Sequence, residues 1–314
     1  MKASNSIPLR RRIRFRIEAF FFACAVQVVP GFSRPMVLRL ARWAGWLAYI
    51  FARKDSGIAR ANLDLAFGDA LSAREKRAIV REVFSTFVLT GLDYFWFSVD
   101  RKTRLGKWVV VEDSARQWLR KGAMVAVTAH FGNWEILGLI TVQSGSQIAS
   151  VAKPVKNPLI DAEINRVRTL SGQSIVPREG AIRALVRVLK QEGTVALLLD
   201  QDTLPSDGGV FVPFFGVPVP VATAAAGLAL KLKVPILMAF CTCDDQGFYH
   251  CYVNDVFLPA QVEGQSPEAL TVSITGCLER EIRRHPGYWL WSYKRWKRRL
   301  PGVDPSRYPF YADC

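Results

Sequence analysis

Histidine is scarce in this sequence, and the common signatures of cofactor sites are missing from it. Only three histidines occur among 314 residues, and the six cysteines form no CxxC pair and no spacing typical of a metal site. No glycine-rich loop of the kind that cradles phosphates is present. Scattered cysteines in apolar segments are most simply reduced core residues of a protein that faces the cytosol. We therefore predict neither a metal ion nor another cofactor.

The chain also lacks any internal repeat, low-complexity tract or linker rich in proline, glycine and serine. Its residues are 50% hydrophobic and 22% charged, a composition typical of one large globular domain. Positive charge predominates, because 42 lysines and arginines outnumber 27 aspartates and glutamates and give a formal charge of +15. Such an excess implies a polyanionic partner: nucleic acid, an anionic membrane surface, a phosphorylated lipid or an acidic carrier protein.

The N-terminal residues combine basic and apolar side chains in a pattern typical of a membrane interface. Five arginines between Arg10 and Arg16 precede an apolar run at 19–30, which is shorter than the roughly 20 residues that a membrane-spanning helix needs. Residues 36–52 interleave arginines with aromatic residues at helical spacing. We predict that these helices attach the protein to a membrane by spanning it or lying in it. Two amphipathic helices that cover the core are the alternative.

Beyond this segment, short apolar runs alternate with helical patterns, which predicts an α/β fold with a mostly parallel central sheet flanked by helices. Residues 1–55 are then the membrane-associated helices, and residues 56–314 form a single α/β domain. Strands are predicted at 109–111, 124–129, 148–152, 174–176, 194–199, 235–241 and 249–256. Helices are predicted at 73–87, around Trp118, and at 159–170, 181–191 and 267–284. Ser72 and Glu75 form a capping-box pattern before the first of these helices.

A histidine and an acid lie five residues apart across a glycine turn at the end of the 124–129 strand. His130, Gly132 and Glu135 belong to the run His-Phe-Gly-Asn-Trp-Glu, and ligands bind at this edge of an open α/β sheet. Glu135, in the first turn of the next helix, can reach back to one imidazole nitrogen and leave the other to accept a proton from a hydroxyl. This pattern favours a catalytic pair over a satisfied structural histidine.

Two further polar residues follow predicted strands at the same edge. Arg178 could hold a phosphate through two hydrogen bonds, or be an ordinary surface arginine. Asp200 could orient Arg178, close the floor of a pocket, or cap a turn. The aromatic loop at 211–215 could line a greasy groove or pack in the core.

Several of these stretches resemble a known family. A histidine followed by four residues and an acid resembles the signature of the glycerolipid and lysophospholipid acyltransferases. The full His130–Glu135 motif resembles that of the bacterial lipid A biosynthesis acyltransferases of the lauroyl and myristoyl type. The resemblance runs from about Asn62 to Pro301 and includes residues 153–157, 178–180, 200–201, 211–216 and 285–297. A departure lies at 219–223, where the family more often has fewer residues between the glycine and the alanine–threonine pair.

The resemblance implies an acyltransferase on the cytoplasmic face of a bacterial inner membrane. It would transfer a fatty acyl chain from acyl carrier protein to a hydroxyl of a lipid A precursor or related lipid, in lipopolysaccharide biosynthesis. His130 would be the general base, Glu135 would fix its tautomer, and backbone amides near Gly132 are candidate donors to the oxyanion. Asn133, Arg178 and Asp200 are the candidates for substrate binding. An acyltransferase for a different lysolipid or glycolipid, and a non-catalytic lipid-binding protein, are the alternatives.

The C-terminal segment at 289–299 mixes aromatic residues with five lysines and arginines, as a nucleic-acid surface would. No recognised nucleic-acid module surrounds it, and nucleic-acid binding would leave the apolar N-terminal run unexplained. A basic segment rich in tryptophan serves a membrane interface equally well. We therefore predict a membrane surface, and no nucleic acid, among the partners.

Overall fold

A mostly parallel, seven-stranded sheet runs through the protein. The computed structural model describes residues 8–152, 155–178 and 180–313. The helices are Leu9–Val28 (α1), Arg34–Phe51 (α2), Arg53–Phe67 (α3), Ala73–Trp96 (α4), Arg101–Trp108 (α5), Asp113–Arg116 (α6), Trp134–Gln143 (α7), Pro158–Leu170 (α8), Ala181–Lys190 (α9), Ala224–Leu232 (α10) and Pro267–Arg284 (α11). The strands are Val109–Val111 (β1), Met124–Thr128 (β2), Ile148–Ala152 (β3), Ser174–Pro177 (β4), Thr194–Leu198 (β5), Gly209–Phe214 (β6), Val217–Ala222 (β7), Ile236–Cys243 (β8) and Tyr249–Phe257 (β9).

The large sheet has the strand order β1-β9-β8-β2-β5-β3-β4. Strands β8, β2, β5, β3 and β4 pair in parallel, whereas β9 runs antiparallel to β8 and pairs in parallel with β1. Helices separate most of the strands along the chain, as parallel connections require. The prediction of an α/β fold with a mostly parallel central sheet flanked by helices is confirmed. The capping box of Ser72 and Glu75 at the start of α4 is confirmed as well.

The central position of β2 places the predicted motif at the middle of the carboxyl edge of the sheet. Four of the five residues of β2 are buried, as expected for a strand covered on both faces. Thr128 at the end of β2 is in register with Leu198 at the end of β5. The segments that follow these two strands therefore emerge side by side, and they contain His130 and Asp200.

The residues at 211–215, predicted to be an aromatic loop, belong to an antiparallel hairpin of β6 and β7. Phe215 and Gly216 form its turn with positive φ angles of 49° and 74°, as a tight hairpin turn requires. Phe214 and Phe215 are buried, and both pack against Trp296. The groove interpretation is therefore wrong for these two rings, which belong to the core. Prolines hide the strand pattern in the sequence, but a two-stranded hairpin tolerates them because its strands have free edges.

The basic and aromatic segment near the C-terminus is also core. Trp289, Trp291 and Trp296 have no exposed surface, and Arg295 is 1% exposed. Interpreting this segment as a membrane or nucleic-acid surface is therefore wrong for these four side chains. Trp118 lies in a turn beyond α6 instead of in the helix predicted around it.

The N-terminal segment forms the two predicted helices, and they pack on the rest of the chain. Asn157 at the start of α8 donates from Nδ2 to the Phe15 carbonyl and to Glu18 Oε2 of α1, each at 2.9 Å. Across the residues that the structure describes, no helix combines the length and the apolar character needed to cross a membrane. Lys153 and Pro154, at the start of the family-like stretch at 153–157, lie outside the described residues.

Candidate active site

The imidazole of His130 is held by the carboxylate of Asp200. His130 Nδ1 lies 3.0 Å from Asp200 Oδ1, and the His130 backbone amide donates to Asp200 Oδ2 at 3.0 Å. Trp289 Nε1 also donates to Oδ2 at 3.0 Å. Asp200 is 3% exposed, whereas the His130 side chain is 23% exposed. A carboxylate at Nδ1 selects the tautomer with the proton on that nitrogen, which leaves Nε2 as the basic nitrogen.

Burial and the partner's charge shift the pKa of each member of this pair in opposite directions. Burial disfavours the imidazolium, but the charge and hydrogen bond of Asp200, helped by the charge of Glu135, raise the pKa of His130 above its ordinary value. Burial also disfavours the charged form of Asp200, which would raise its pKa. His130 and the hydrogen bond from Trp289 outweigh this effect and lower the pKa of Asp200 below its ordinary value. Asp200 therefore remains a carboxylate, and His130 is a stronger base than a free imidazole.

Glu135, predicted to orient His130, contacts another residue. Arg168 of α8 binds its carboxylate through two nitrogens, and Nε lies 3.3 Å from Glu135 Oε2. The predicted contact between Glu135 and the imidazole is thus wrong, and Asp200 takes that place. Sequence spacing favoured Glu135 because it is near in the chain, whereas Asp200 becomes a neighbour only through the pairing of β2 with β5. Arg168 has no sequence signal, since only helix packing brings it to the site.

Gly132 allows the backbone to turn between β2 and α7. Its φ angle is +54°, and a Cβ at this position would lie 1.9 Å from the carbonyl oxygen of Cys241, so a larger residue does not fit. The Gly132 amide donates to the Tyr288 carbonyl at 2.9 Å, and the Asn133 amide donates to the Cys241 carbonyl at 3.0 Å. The amides of Gly132 and Asn133 are therefore occupied, so neither is available to the oxyanion.

Asn133 caps α7 instead of facing the substrate. Its Oδ1 accepts from the Ile136 amide at 3.4 Å, and its Nδ2 donates to the Tyr249 hydroxyl at 3.0 Å. Asn133 is buried, with 1% of its surface exposed. The structure therefore does not support the substrate-binding role predicted for Asn133. Asp200, given the same predicted role, has both carboxylate oxygens bonded to His130 and Trp289, so its contact is with the base and not with Arg178.

A cavity of about 650 Å³ opens beside His130 and extends over one face of the sheet. Three small residues on neighbouring strands line it: Ala126 of β2, Ala196 of β5 and Ser150 of β3. They lie side by side, since Ala126 and Ser150 both pair with Ala196. Near the carboxyl edge, the lining includes Glu135, Arg168 and Arg178; farther along it is mostly apolar. The cavity can hold a long apolar chain whose polar end lies at His130.

Arg178 lines the mouth of this cavity and is 45% exposed at its side chain. Its Nη2 lies 3.1 Å from Oδ2 of Asp207, which is also exposed. Substrate binding by Arg178 remains a prediction. Glu179, the next residue of the family-like stretch, lies outside the described residues.

Comparison with known proteins finds a family model and several relatives. A family model described as bacterial lipid A biosynthesis acyltransferase matches residues 9–298. The lipid A biosynthesis palmitoleoyltransferase of Escherichia coli is 29% identical over 278 residues, which cover 85% of this chain and 87% of that protein. A lipid A biosynthesis acyltransferase of Haemophilus influenzae is 26% identical over 313 residues, with coverages of 87% and 88%. The solved 1-acyl-sn-glycerophosphate acyltransferase PlsC of Thermotoga maritima has a TM-score of 0.39 at 14% identity, over 82% of this chain and 99% of that one.

Proposed function

Because the chain belongs to the bacterial lipid A biosynthesis acyltransferase family and is therefore an acyl-transferring enzyme, we propose that it moves a fatty acyl chain from acyl carrier protein to a hydroxyl of a lipid A precursor. The observation that carries this proposal is the His130–Asp200 pair beside the cavity: a base next to a space that fits an acyl chain. The family assignment removes the alternative of a non-catalytic lipid-binding protein.

His130 acts as general base in this mechanism. Its Nε2 removes the proton from the acceptor hydroxyl as the hydroxyl oxygen attacks the thioester carbonyl. The tetrahedral intermediate then collapses, the carbon–sulfur bond breaks, and the imidazolium returns the proton to the departing thiolate. General acid–base catalysis of this kind contributes about 10²–10⁴-fold to the rate. Asp200 fixes the tautomer and stabilises the imidazolium that forms.

Glu135 remains a catalytic residue in the proposal, but it acts through its charge. Its carboxylate raises the pKa of His130 and holds Arg168 at the edge of the cavity. Arg168 and the first-turn amides of Trp134 and Glu135, at the positive end of the α7 dipole, are the candidate donors to the oxyanion.

The acceptor and the membrane are proposed from charge and exposure. Arg178, at the mouth of the cavity, is suited to a phosphate of the acceptor. Helices α1 and α2 expose aromatic residues that include Phe20 (65%), Phe21 (66%), Trp43 (60%) and Trp46 (45%). With the arginines of α1, these side chains suit attachment to the cytoplasmic face of a bacterial inner membrane. Residues 1–55 are the proposed attachment segment, and residues 56–314 are the proposed catalytic domain.

Mass spectrometry of lipids from cells with and without the gene tests the proposal. We expect lipid A from deleted cells to lack one acyl chain, and we expect the wild-type gene, but not His130→Ala, to restore it. An unchanged lipid A with a phospholipid or glycolipid missing an acyl chain would contradict the proposed acceptor. Purified enzyme supplied with acyl carrier protein or coenzyme A thioesters would then test the donor, and equal rates from both would contradict a dedicated carrier protein.

A further inference from the structure

Arg34 and Asp93 form an ion pair in which neither side chain has any exposed surface. Arg34 is the first residue of α2, and Asp93 lies in the last turn of α4. The guanidinium donates from Nη1 to Asp93 Oδ1 and from Nε to the Gly247 carbonyl at 3.0 Å. A buried ion pair is often no more stable than well-packed apolar residues in its place. Stability alone therefore does not account for this pair.

Tyr249 of β9 connects the ion pair to the active site. Its hydroxyl donates to Asp93 Oδ2 and accepts from Asn133 Nδ2. Asn133 in turn caps α7 through Oδ1, and it lies three residues after His130 and two before Glu135. Tyr249 and Asn133 are each 1% exposed. A continuous buried network thus joins the start of α2 to the turn that carries the catalytic motif.

The ion pair fixes which atom donates and which accepts in every hydrogen bond of this network. A guanidinium only donates and a carboxylate only accepts, so the Tyr249 hydrogen must point to Asp93. Its oxygen then accepts, which requires the NH₂ group of Asn133 to face Tyr249 and the amide oxygen to face Ile136. Burial raises the pKa of Asp93 above its ordinary value, and the charge and hydrogen bond of Arg34, with the hydrogen bond of Tyr249, offset part of that rise. The charge of Arg34 therefore helps to keep Asp93 an acceptor and the amide of Asn133 in its capping orientation.

We propose that Arg34, Asp93 and Tyr249 are positioning residues for acyl transfer. They fix the orientation of the Asn133 amide, and that amide holds the first turn of α7, from which Trp134 contacts His130. The ring of Trp134 lies edge-to-face with the imidazole, with 5.0 Å between the ring centres. Because a misplacement of about 1 Å can cost about 100-fold in rate, loss of this alignment lowers kcat more than it weakens substrate binding. The proposal rests on the proposed catalytic role of His130.

Tyr249→Phe tests the network, because it removes one hydroxyl and keeps the buried ring. Tyr308→Phe is the matched control: its hydroxyl accepts from the Leu300 amide at 3.1 Å, and Tyr308 is 8% exposed and far from the motif in sequence. We expect Tyr249→Phe to lower kcat by about tenfold, with KM for donor and acceptor within about twofold of wild type. The control should lose similar thermal stability and keep its kcat. Equal kcat values in the two variants would overturn the proposal, as would a rise in the acceptor KM alone.

Arg34→Lys tests the other end of the network. Lysine keeps the charge but loses the planar fork that bonds Asp93 and the Gly247 carbonyl together. We expect a lower kcat, and a double variant with Tyr249→Phe that is no slower than the slower single variant. Multiplied losses would show that Arg34 acts independently of Tyr249 and would overturn its place in the network. Failure of the proposed function can be told apart from failure of the network, because only the former would leave His130→Ala fully active.

Discussion

His130 has carboxylates of two kinds near it, and they do different things. Asp200 lies behind the ring at hydrogen-bond distance and is buried. Glu135 is bound to Arg168 and affects the imidazole through its charge. One carboxylate therefore sets the tautomer, and both raise the pKa of the base. This division of roles makes the pH dependence of the reaction informative.

His130 must be neutral to accept a proton, and its raised pKa keeps it protonated to a higher pH than a free imidazole. We therefore expect kcat/KM to rise with pH through a midpoint above the ordinary value of 6.5. Glu135→Gln removes a negative charge that raises this pKa, so it should move the midpoint to lower pH. Rates measured from about pH 5 to pH 9, which is about 1.5 units below to about 2.5 units above the ordinary histidine pKa, give both midpoints.

Glu163→Gln is the control for this measurement. Glu163 lies on α8 and, like Glu135, is bound by an arginine, Arg166, at the protein surface. Its replacement should leave the midpoint where it is in the wild type. A midpoint that does not move in Glu135→Gln, or that moves upward, would contradict the electrostatic role of Glu135.

At the scale of secondary structure elements, the sequence predicts β2, α7 and α11 well because their signals are local. Buried parallel strands are continuous apolar runs, and α11 begins at a serine cap followed by proline. The hairpin of β6 and β7 was missed because proline normally argues against strands. The buried role of Trp289 was also missed, because a tryptophan beside basic residues has the composition of an interface whether it faces outward or inward.

The candidate site was predicted only in part, because only some of its features have a local signal in the sequence. Predicted strands that are followed by polar residues indicate that His130 and Asp200 lie at the same edge of the sheet. The bond between them depends on strand order, since β5 neighbours β2 although β3 and β4 come between them in the chain. Arg168 depends on how α8 packs, and a single sequence gives no sign of that.

The register of small residues across β2, β5 and β3 leads to a prediction about acyl chain length. Ala196→Leu adds three carbon atoms to the lining of the cavity. We expect transfer of long acyl chains to fall by about tenfold or more relative to short ones, because overpacking of this kind costs about 1–3 kcal/mol. The measurement compares kcat/KM for carrier-protein thioesters of increasing chain length.

The short-chain thioester serves as the internal control for Ala196→Leu. Its transfer should stay within a fewfold of the wild-type rate, because His130 and Asp200 are untouched. Equal losses for all chain lengths would show that the cavity does not hold the acyl chain.

At the scale of the whole molecule, the exposed aromatic residues of α1 and α2 are separated in sequence from the catalytic motif, and α1 packs against α8. We expect wild-type protein to bind vesicles that contain anionic phospholipid. Serine at Phe20, Phe21, Trp43 and Trp46 together should weaken binding by about tenfold or more, because each aromatic ring loses apolar contact with lipid. Cosedimentation with vesicles measures the change.

Phe310→Ser is the matched control for the membrane experiment. Phe310 is 79% exposed but lies near the C-terminus, outside the two N-terminal helices. It should bind vesicles as the wild type does. Equal binding by the fourfold variant and the wild type would place the attachment surface elsewhere.

The most direct test of acyl transfer by His130 and Asp200 is the single-turnover rate of purified enzyme with an acyl carrier protein thioester and a lipid A precursor. We expect His130→Ala and Asp200→Asn each to lower this rate by about 10²–10⁴-fold. Because the two residues act as one unit, the double variant should be no slower than the slower single variant. Either single variant within a fewfold of the wild-type rate, at unchanged thermal stability, would contradict the account.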